Sequence, residues 1–160
     1  GIHLIDLIMW LSNKKILSVN SVGTNNITSK SKFKFYDCVI SNLKLSDDSI
    51  ASVTANFPSV TPHGHRVSVF AEKGTFHHGP LGCAYFKSRN PEIKPNFVTD
   101  PYPGVNKDAI LNEFIQNIIN PSSYLSIKVQ DVIDSMSVSI AIEKSLSLGR
   151  EVSVVYHNIS

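Results

Sequence analysis

Apolar residues recur at helical spacing at the start of the chain. Leu4, Leu7, Ile8 and Leu11 follow the i, i+3, i+4, i+7 rule of a helix that buries one face. The run is too short to cross a bilayer, which takes about 20 apolar residues, and it lacks the basic flank of a signal peptide. The pattern predicts a buried helix over residues 1–11, with Trp10 assigned to its packing.

Two-residue alternation predicts strands in the next part of the chain. Residues 16–22 read as a strand with Leu17 and Val19 on one face. A polar loop follows, and residues 35–45 and 50–57 then form the two arms of a predicted hairpin. Shorter strands, separated by turns, are predicted at residues 66–71, 75–78, 81–88 and 96–99.

Two helices are predicted after these strands. The first begins at Asn106 as its cap and ends before Pro121. Its apolar stripe comprises Ala109, Ile110, Leu111, Phe114, Ile115 and Ile118.

The second predicted helix covers residues 129–148, and Gly149 stands where a left-handed residue ends a helix. Its apolar face is predicted to comprise Val132, Ile133, Met136, Ile140 and Ala141. A valine-rich strand over residues 151–156 closes the chain.

This order of elements predicts an α+β fold. We expect an open, mostly antiparallel mixed β-sheet with the helices packed on one face. The other face of such a sheet stays exposed, so it is a candidate surface for forming a homo-oligomer.

Composition excludes several classes of protein. The length of 160 residues fits one domain over residues 1–160. The formal net charge of +2 is too small to indicate a nucleic-acid or membrane partner. Cys38 and Cys83 are too few for a disulfide framework and favour a reducing, cytoplasmic location. The first helix begins at Gly1 with no methionine and no capping side chain, so we expect the chain to be part of a longer protein.

His3 and Asp6 are the first candidate catalytic residues. They are three positions apart on the predicted helix and therefore share one face. Histidine moves protons near neutral pH, and a neighbouring carboxylate orients it. The alternative is a structural role, in which both side chains contact local backbone or lie on the helix surface.

A second group of candidates lies near residue 64. His63, His65 and Arg66 stand at the entry to a predicted strand, where they are candidates for binding a substrate. A zinc site needs three or four ligands, and no such set occurs at compact spacing, so no metal is expected. The alternative is that the three residues are polar turn residues facing water.

Several segments resemble one enzyme family. Residues 1–11, GIHLIDLIMWL, resemble the GxHxxDxxxWL helix of the Gfo/Idh/MocA oxidoreductases. Residues 46–51, 70–76 and 131–152 resemble its later hairpin, its GxxGTL turn and its last helix and strand, in the same order. The chain thus resembles the C-terminal domain of that family, with the fold of a dihydrodipicolinate-reductase-like C-terminal domain, and without the N-terminal Rossmann domain.

The resemblance implies a function and a division of roles. The family transfers a hydride between a sugar or polyol carbon and NAD or NADP, and its C-terminal domain binds substrate and forms oligomers. His3 matches the catalytic histidine, and Asp6 matches a later acid that we expect to orient His3. The cofactor is expected to bind the missing domain, with no cofactor residues in this chain.

The sequence therefore indicates two alternative functions. The first is the substrate-binding and oligomerising half of an NAD(P)-dependent oxidoreductase acting on a sugar, nucleotide-sugar or polyol hydroxyl, inactive as an isolated chain. The alternative is a non-enzymatic module that drives assembly or binds carbohydrate through its sheet.

Overall fold

The computed structural model describes residues 1–62, 64–80, 82–99, 108–122 and 126–159. These residues divide into two compact units, a first unit of Gly1–Ser59 and Ser126–Ser160 and a second unit of Val60–Leu125. In chain order the elements are α1 (Ile2–Ser12), β1 (Ile16–Thr24), β2 (Cys38–Leu45), β3 (Ile50–Asn56), β4 (Val67–Ala71), β5 (Gly74–Gly79), β6 (Gly82–Phe86), β7 (Asn96–Val98), α2 (Asp108–Ile119), α3 (Val129–Leu148) and β8 (Val152–Ser153).

Each unit contains a four-stranded sheet. The strand order is β3-β2-β1-β8 in the first unit and β4-β5-β6-β7 in the second, and neighbouring strands are antiparallel. The predicted α+β class is confirmed. The described strands form two antiparallel sheets where the sequence indicated a single mixed sheet, because periodicity identifies a strand but not the distant strand with which it pairs.

The two faces of the first sheet differ in burial, as the two-residue alternation along β2 indicates. Ser41, Leu43 and Leu45 are buried under the helices, and the residues between them are exposed. The prediction for β1 was wrong at Leu17, which is 47% exposed. A register shift between Ile16 and Ser18 adds one residue to the strand, so Ile16 and not Leu17 joins Val19 inside.

One core lies between this sheet and the helices α1 and α3. Its buried members are Ile5, Ile16, Val19, Leu43, Leu45, Val53, Val138, Ala141 and Val152. The predicted first helix is confirmed, although its buried residue is Ile5 and Leu11 is exposed. The core therefore fixes α1 on one face of the sheet and leaves the other side of α1 in solvent.

Helix α3 has the predicted bounds but not the predicted buried face. It covers Val129–Leu148, and Gly149 ends it with a φ of 62°. Val132, Met136 and Ile140 were predicted to be inside and are exposed. Ala141 is buried as predicted, and the other buried side chains of the helix are Asp134, Ser135, Ser137, Val138 and Ser145.

Serine hydroxyls explain how this polar face is buried. Ser137 Oγ donates to Ile133 O at 2.8 Å, so it needs no partner outside the helix. Ser145 Oγ accepts from Ser21 N of β1 at 2.9 Å and donates to Arg150 O at 2.7 Å. Small side chains with satisfied hydroxyls let the helix lie close to the strand.

Helix α2 begins and ends near its predicted limits, and its predicted cap, Asn106, lies outside the described residues. The stripe residues Ile110, Phe114 and Ile118 are exposed.

A polar anchor joins α3, the start of β1 and the last residues of the chain. The Asp134 carboxylate is almost fully buried, pairs with Lys15 Nζ and accepts from Gln130 Nε2 at 2.9 Å. The Lys15 ammonium also lies 4.5 Å from the centroid of the Tyr156 ring. The Tyr156 hydroxyl accepts from Ile16 N at 3.0 Å and donates to Ile16 O at 2.9 Å.

Replacing Lys15 should destabilise the first unit more than replacing its neighbour. Lys15→Met leaves the buried Asp134 carboxylate without its cation, and we expect a loss of about 1–2 kcal/mol in the free energy of unfolding. The matched control is Lys14→Met, because Lys14 pairs with Asp47 at 4.0 Å on the surface, and a change within about 0.5 kcal/mol is expected. Urea denaturation measures both, and equal losses would contradict the anchor.

Replacing Tyr156 should change stability in a pH-dependent way. Burial raises the pKa of the Tyr156 hydroxyl above its usual value. Its stabilising contribution is therefore complete below about pH 10, where the unfolded tyrosine titrates, and is lost as the pH rises towards the higher folded pKa. Tyr156→Phe should cost about 1–2 kcal/mol at neutral pH.

Urea denaturation of both proteins across this range tests the prediction. The stability gap between the native chain and Tyr156→Phe should narrow above about pH 10. A gap of constant size would mean that the hydroxyl titrates at the same pH in the folded and unfolded chains.

Candidate functional site

The solvent side of α1 carries the residues predicted to be catalytic. His3, Asp6 and Trp10 are all exposed, and their spacing places them along one stripe of the helix. Trp10 was assigned to packing, which was wrong, because its ring is 72% exposed. Since Ile5 holds the opposite side of α1 in the core, the stripe faces away from the sheet.

Helix α3 supplies a contact to this stripe. Ser135 is buried, and its Oγ lies 3.4 Å from Asp6 Oδ1 and 2.9 Å from Asp131 O, to which it donates. The contact between Ser135 Oγ and Asp6 Oδ1 is long for a hydrogen bond between oxygens, so it restrains the carboxylate only weakly. Sequence reasoning missed Ser135 because it lies 129 positions from Asp6 along the chain.

An apolar cleft opens beside the first turn of α1. Its volume is about 230 Å³, and it lies between α1, strands β2 and β3, and the C-terminal half of α3. Gly1, Ile2, Val39, Ala55 and Leu146 are among its lining residues. The cleft places an apolar surface next to the turn that carries His3.

The arrangement on α1 suits proton transfer. An imidazole takes up or releases a proton near neutral pH, and it must be exposed to reach a substrate that comes from solvent. His3 meets this condition, and Asp6 shares its face of the helix. The chemistry available to this pair is proton transfer, and nothing in it accepts a hydride.

The other predicted binding residues lie in the second unit. His65 is half-buried and Arg66 is exposed, directly before β4, while His63 lies outside the described residues. His3 and Asp6 belong to the first unit, so the two groups of candidates are carried by different units.

Strand β5 adds two histidines that the sequence did not single out as a site. His77 Nδ1 lies 2.8 Å from Ser68 Oγ, and the imidazole stacks edge-on between Phe70 and Phe86. His78 Nδ1 lies 3.1 Å from Cys83 Sγ on the neighbouring strand β6. Consecutive strand residues point to opposite faces, so these contacts lie on opposite sides of the sheet.

Two properties of the described residues bear on metal binding and membranes. In the parts of the chain that the structure describes, no three His, Cys, Asp or Glu residues are grouped as metal ligands would be. None of the described helices combines the length and apolar character needed to cross a bilayer. The sequence also contains no GxGxxG segment of a dinucleotide-binding loop.

Comparison with protein families gives one match. The family model of the GFO/IDH/MocA C-terminal domain matches residues 1–77, which include α1 and the hairpin of β2 and β3. No curated protein matches the chain by sequence.

Solved structures share the fold over nearly the whole chain. A putative oxidoreductase from Thermotoga maritima aligns with a TM-score of 0.77 and 18% identity, covering 96% of this chain and 45% of its own. Levoglucosan dehydrogenase in complex with NADH aligns with a TM-score of 0.76 and 16% identity, covering 98% and 49%.

The WlbA dehydrogenase from Bordetella pertussis, in complex with NADH and UDP-GlcNAcA, aligns with a TM-score of 0.67 and 18% identity, covering 97% and 45%. The chain thus spans about half the length of these structures. The match over residues 1–77, just under half of the chain, and the shared fold make the chain similar to the C-terminal domain of the GFO/IDH/MocA oxidoreductases.

Proposed function

We propose that this chain is the substrate-binding and oligomerising half of an NAD(P)-dependent oxidoreductase. The substrate is a sugar, nucleotide-sugar or polyol with a hydroxyl to be oxidised. The observation that carries the proposal is the exposed His3 on α1, with Asp6 on the same face, in a chain half as long as the dehydrogenases that share its fold.

The substrate class is supported by the relatives. Levoglucosan dehydrogenase has been solved with levoglucosan and with L-sorbose, and the WlbA dehydrogenase with UDP-GlcNAcA. These names describe sugars and a nucleotide-sugar, and NADH accompanies all three of these ligands. A sugar-type substrate and a nicotinamide cofactor are therefore the simplest extension to this protein.

The cofactor does not fit the residues of this chain. A dinucleotide site uses a glycine-rich turn at a helix N-terminus, and the sequence has no such turn. NAD or NADP is accordingly assigned to a part of the protein outside these 160 residues, and the isolated chain is expected to be inactive.

His3 supplies the proton-transfer half of the reaction. Oxidising a hydroxyl to a carbonyl removes a hydride from carbon, which a nicotinamide accepts, and a proton from oxygen. The neutral imidazole of His3 takes that proton, and Asp6 keeps the ring in the productive orientation. His63, His65 and Arg66 are proposed, as a group, to contact substrate hydroxyl or acidic groups.

Replacing His3 in the protein that includes the cofactor domain tests this role. His3→Asn should lower kcat by about 10²-fold or more, because positioned proton transfer contributes that much, and should leave cofactor affinity unchanged. The exposed position predicts a change in unfolding free energy within about 0.5 kcal/mol. Steady-state kinetics and urea denaturation measure these effects.

Ile5→Ala on the same helix is the control for a purely structural effect. It removes a core side chain that is 2% exposed and should cost about 2–5 kcal/mol of stability. A full kcat with His3→Asn would remove His3 from the mechanism, and a large loss of stability would make it a structural residue.

The solvent face of the first sheet is proposed as the surface that joins two copies of the chain. Val22, Ile40 and Ile50 are exposed there, among short polar side chains such as Asn42 and Ser52. In an antiparallel sheet such side chains form a flat surface with apolar centres. A stable dimer would bury on the order of 1,000 Å² or more in total.

Sedimentation of the chain tests the oligomer. The native chain should form a dimer, and Ile40→Glu should convert it to a monomer because a carboxylate would be buried in the interface. The control is Val60→Glu, at a fully exposed position in the second unit, which should leave the dimer intact. A native chain that is monomeric, or a dimer unaffected by Ile40→Glu, would exclude this interface.

A further inference from the structure

The connection between β1 and β2 combines lysines with exposed aromatic rings. We call residues 25–37 the lysine–phenylalanine loop. Its exposed side chains comprise Lys30, Lys32, Phe33, Lys34, Phe35 and Tyr36, which occupy consecutive or alternate positions. The sequence predicted a polar loop up to residue 34 and a strand from residue 35, but β2 begins only at Cys38, so Phe35, Tyr36 and Asp37 belong to the loop.

Asp37 fixes the shape of the loop from its C-terminal end. Its carboxylate is buried, and one oxygen, Oδ2, accepts from Ile27 N at 3.0 Å, from Thr28 N at 2.8 Å and from Thr28 Oγ1 at 3.0 Å. Asp37 N also donates to Thr24 O at 2.9 Å, which closes the loop at its base. These bonds order the segment without using any lysine or phenylalanine side chain.

The rings are supported by one another and by the strand. The Phe33 ring packs against Phe35 at 5.9 Å and against Phe57 at 6.0 Å, measured between centroids. Phe35 and Phe57 are 76% and 74% exposed, so each keeps most of its ring surface open to solvent. A Cβ at Gly23 would lie 2.8 Å from Tyr36 Cγ, so the glycine is what allows the Tyr36 ring to lie against β1.

The loop carries three lysines within five residues, Lys30, Lys32 and Lys34. Between Asp6 and Asp47 the sequence has a single acidic residue, Asp37, whose carboxylate is already engaged with the backbone. Among the described residues, the ion pairs involve other lysines and none of the three in this loop. The loop therefore carries three exposed lysines and exposed aromatic rings in the same short segment, and none of these lysines forms an ion pair among the described residues.

We propose that the lysine–phenylalanine loop binds a nucleoside diphosphate. The base stacks on the open face of Phe35 or Phe57, and the ammonium groups of Lys30, Lys32 and Lys34 contact the phosphates. Neither part alone defines the ligand, since lysines attract any anion and rings attract any apolar surface. A nucleoside diphosphate joins a planar base, which stacks on the rings that Phe33 packs against, to two phosphates, which the ammonium groups contact.

The loop lies at the same end of the first sheet as the start of α1. A Cβ at Gly1 would lie 4.0 Å from Ala55 Cβ, and Ala55 pairs with Val39, two residues after Asp37. The base of the loop at Asp37 is thus at the same end of the first sheet as the turn that carries His3. The binding itself does not rest on the proposed oxidoreductase function, because no redox step is involved.

Titration of the isotope-labelled chain by NMR tests the proposal, with UDP as the probe. UDP binding should saturate with a Kd on the order of 0.1–1 mM, and the largest chemical-shift changes should fall on residues 25–37. Pyrophosphate and uridine, which each lack one half of UDP, should each bind at least about fivefold more weakly. Raising the salt from about 50 mM to about 500 mM should weaken UDP binding, because the contacts are screened.

Matched variants separate this loop from the rest of the surface. Phe35→Ala should weaken UDP binding about fivefold or more, whereas Phe70→Ala, at an equally exposed phenylalanine in the second unit, should leave it unchanged. The joint change of Lys30, Lys32 and Lys34 to Gln should weaken it about tenfold or more. The same change at Lys73, Lys87 and Lys94 is the charge-matched control.

Four results would overturn the proposal. The first two are a UDP titration that does not saturate and pyrophosphate binding as tightly as UDP. The third is a set of UDP-induced NMR shifts outside the loop that persists in the loop variants. The fourth is binding to phosphatidylserine vesicles in the absence of UDP binding. His3→Asn should leave UDP binding unchanged, so failure of the proposed catalytic role is observed separately from failure of this site. Thermal unfolding of each variant confirms that the chain is folded in the titration.

Discussion

The first unit depends on how closely α3 lies to the sheet. Ser145 Oγ accepts from Ser21 N of β1 and donates to Arg150 O, so one hydroxyl links the strand, the helix and the segment that follows Gly149. A longer side chain at position 145 would separate helix and strand and leave the Ser21 amide without its partner. Helix α1 packs on α3, and the exposed stripe with His3 therefore takes its position from this contact.

The sequence predicted the elements of the first unit better than their faces. Helix α3 was located correctly because its helical run is long and Gly149 ends it in the left-handed conformation. Its buried face was assigned wrongly because apolar residues were expected inside. Serines that bond to their own helix, such as Ser137, are polar in the sequence and yet need no water when buried.

The candidate site was predicted where it is local and missed where it is not. His3 and Asp6 could be found because helical spacing fixes their common face. Ser135 could not, because only the folded chain brings α3 beside α1. His65 and Arg66 were placed correctly at the entry to β4. A local sequence pattern does not show that they belong to the second unit while His3 and Asp6 belong to the first.

The register shift near the start of β1 has a consequence for sequence variation. Between Ile16 and Ser18 the strand contains one residue more than regular pairing with β2 requires. Removing the extra residue, Leu17, would leave Ile16, Val19 and Ser21 on the buried face, because each keeps its partner on β2. Homologous sequences should therefore tolerate the loss of one residue in this short segment without any core side chain changing face.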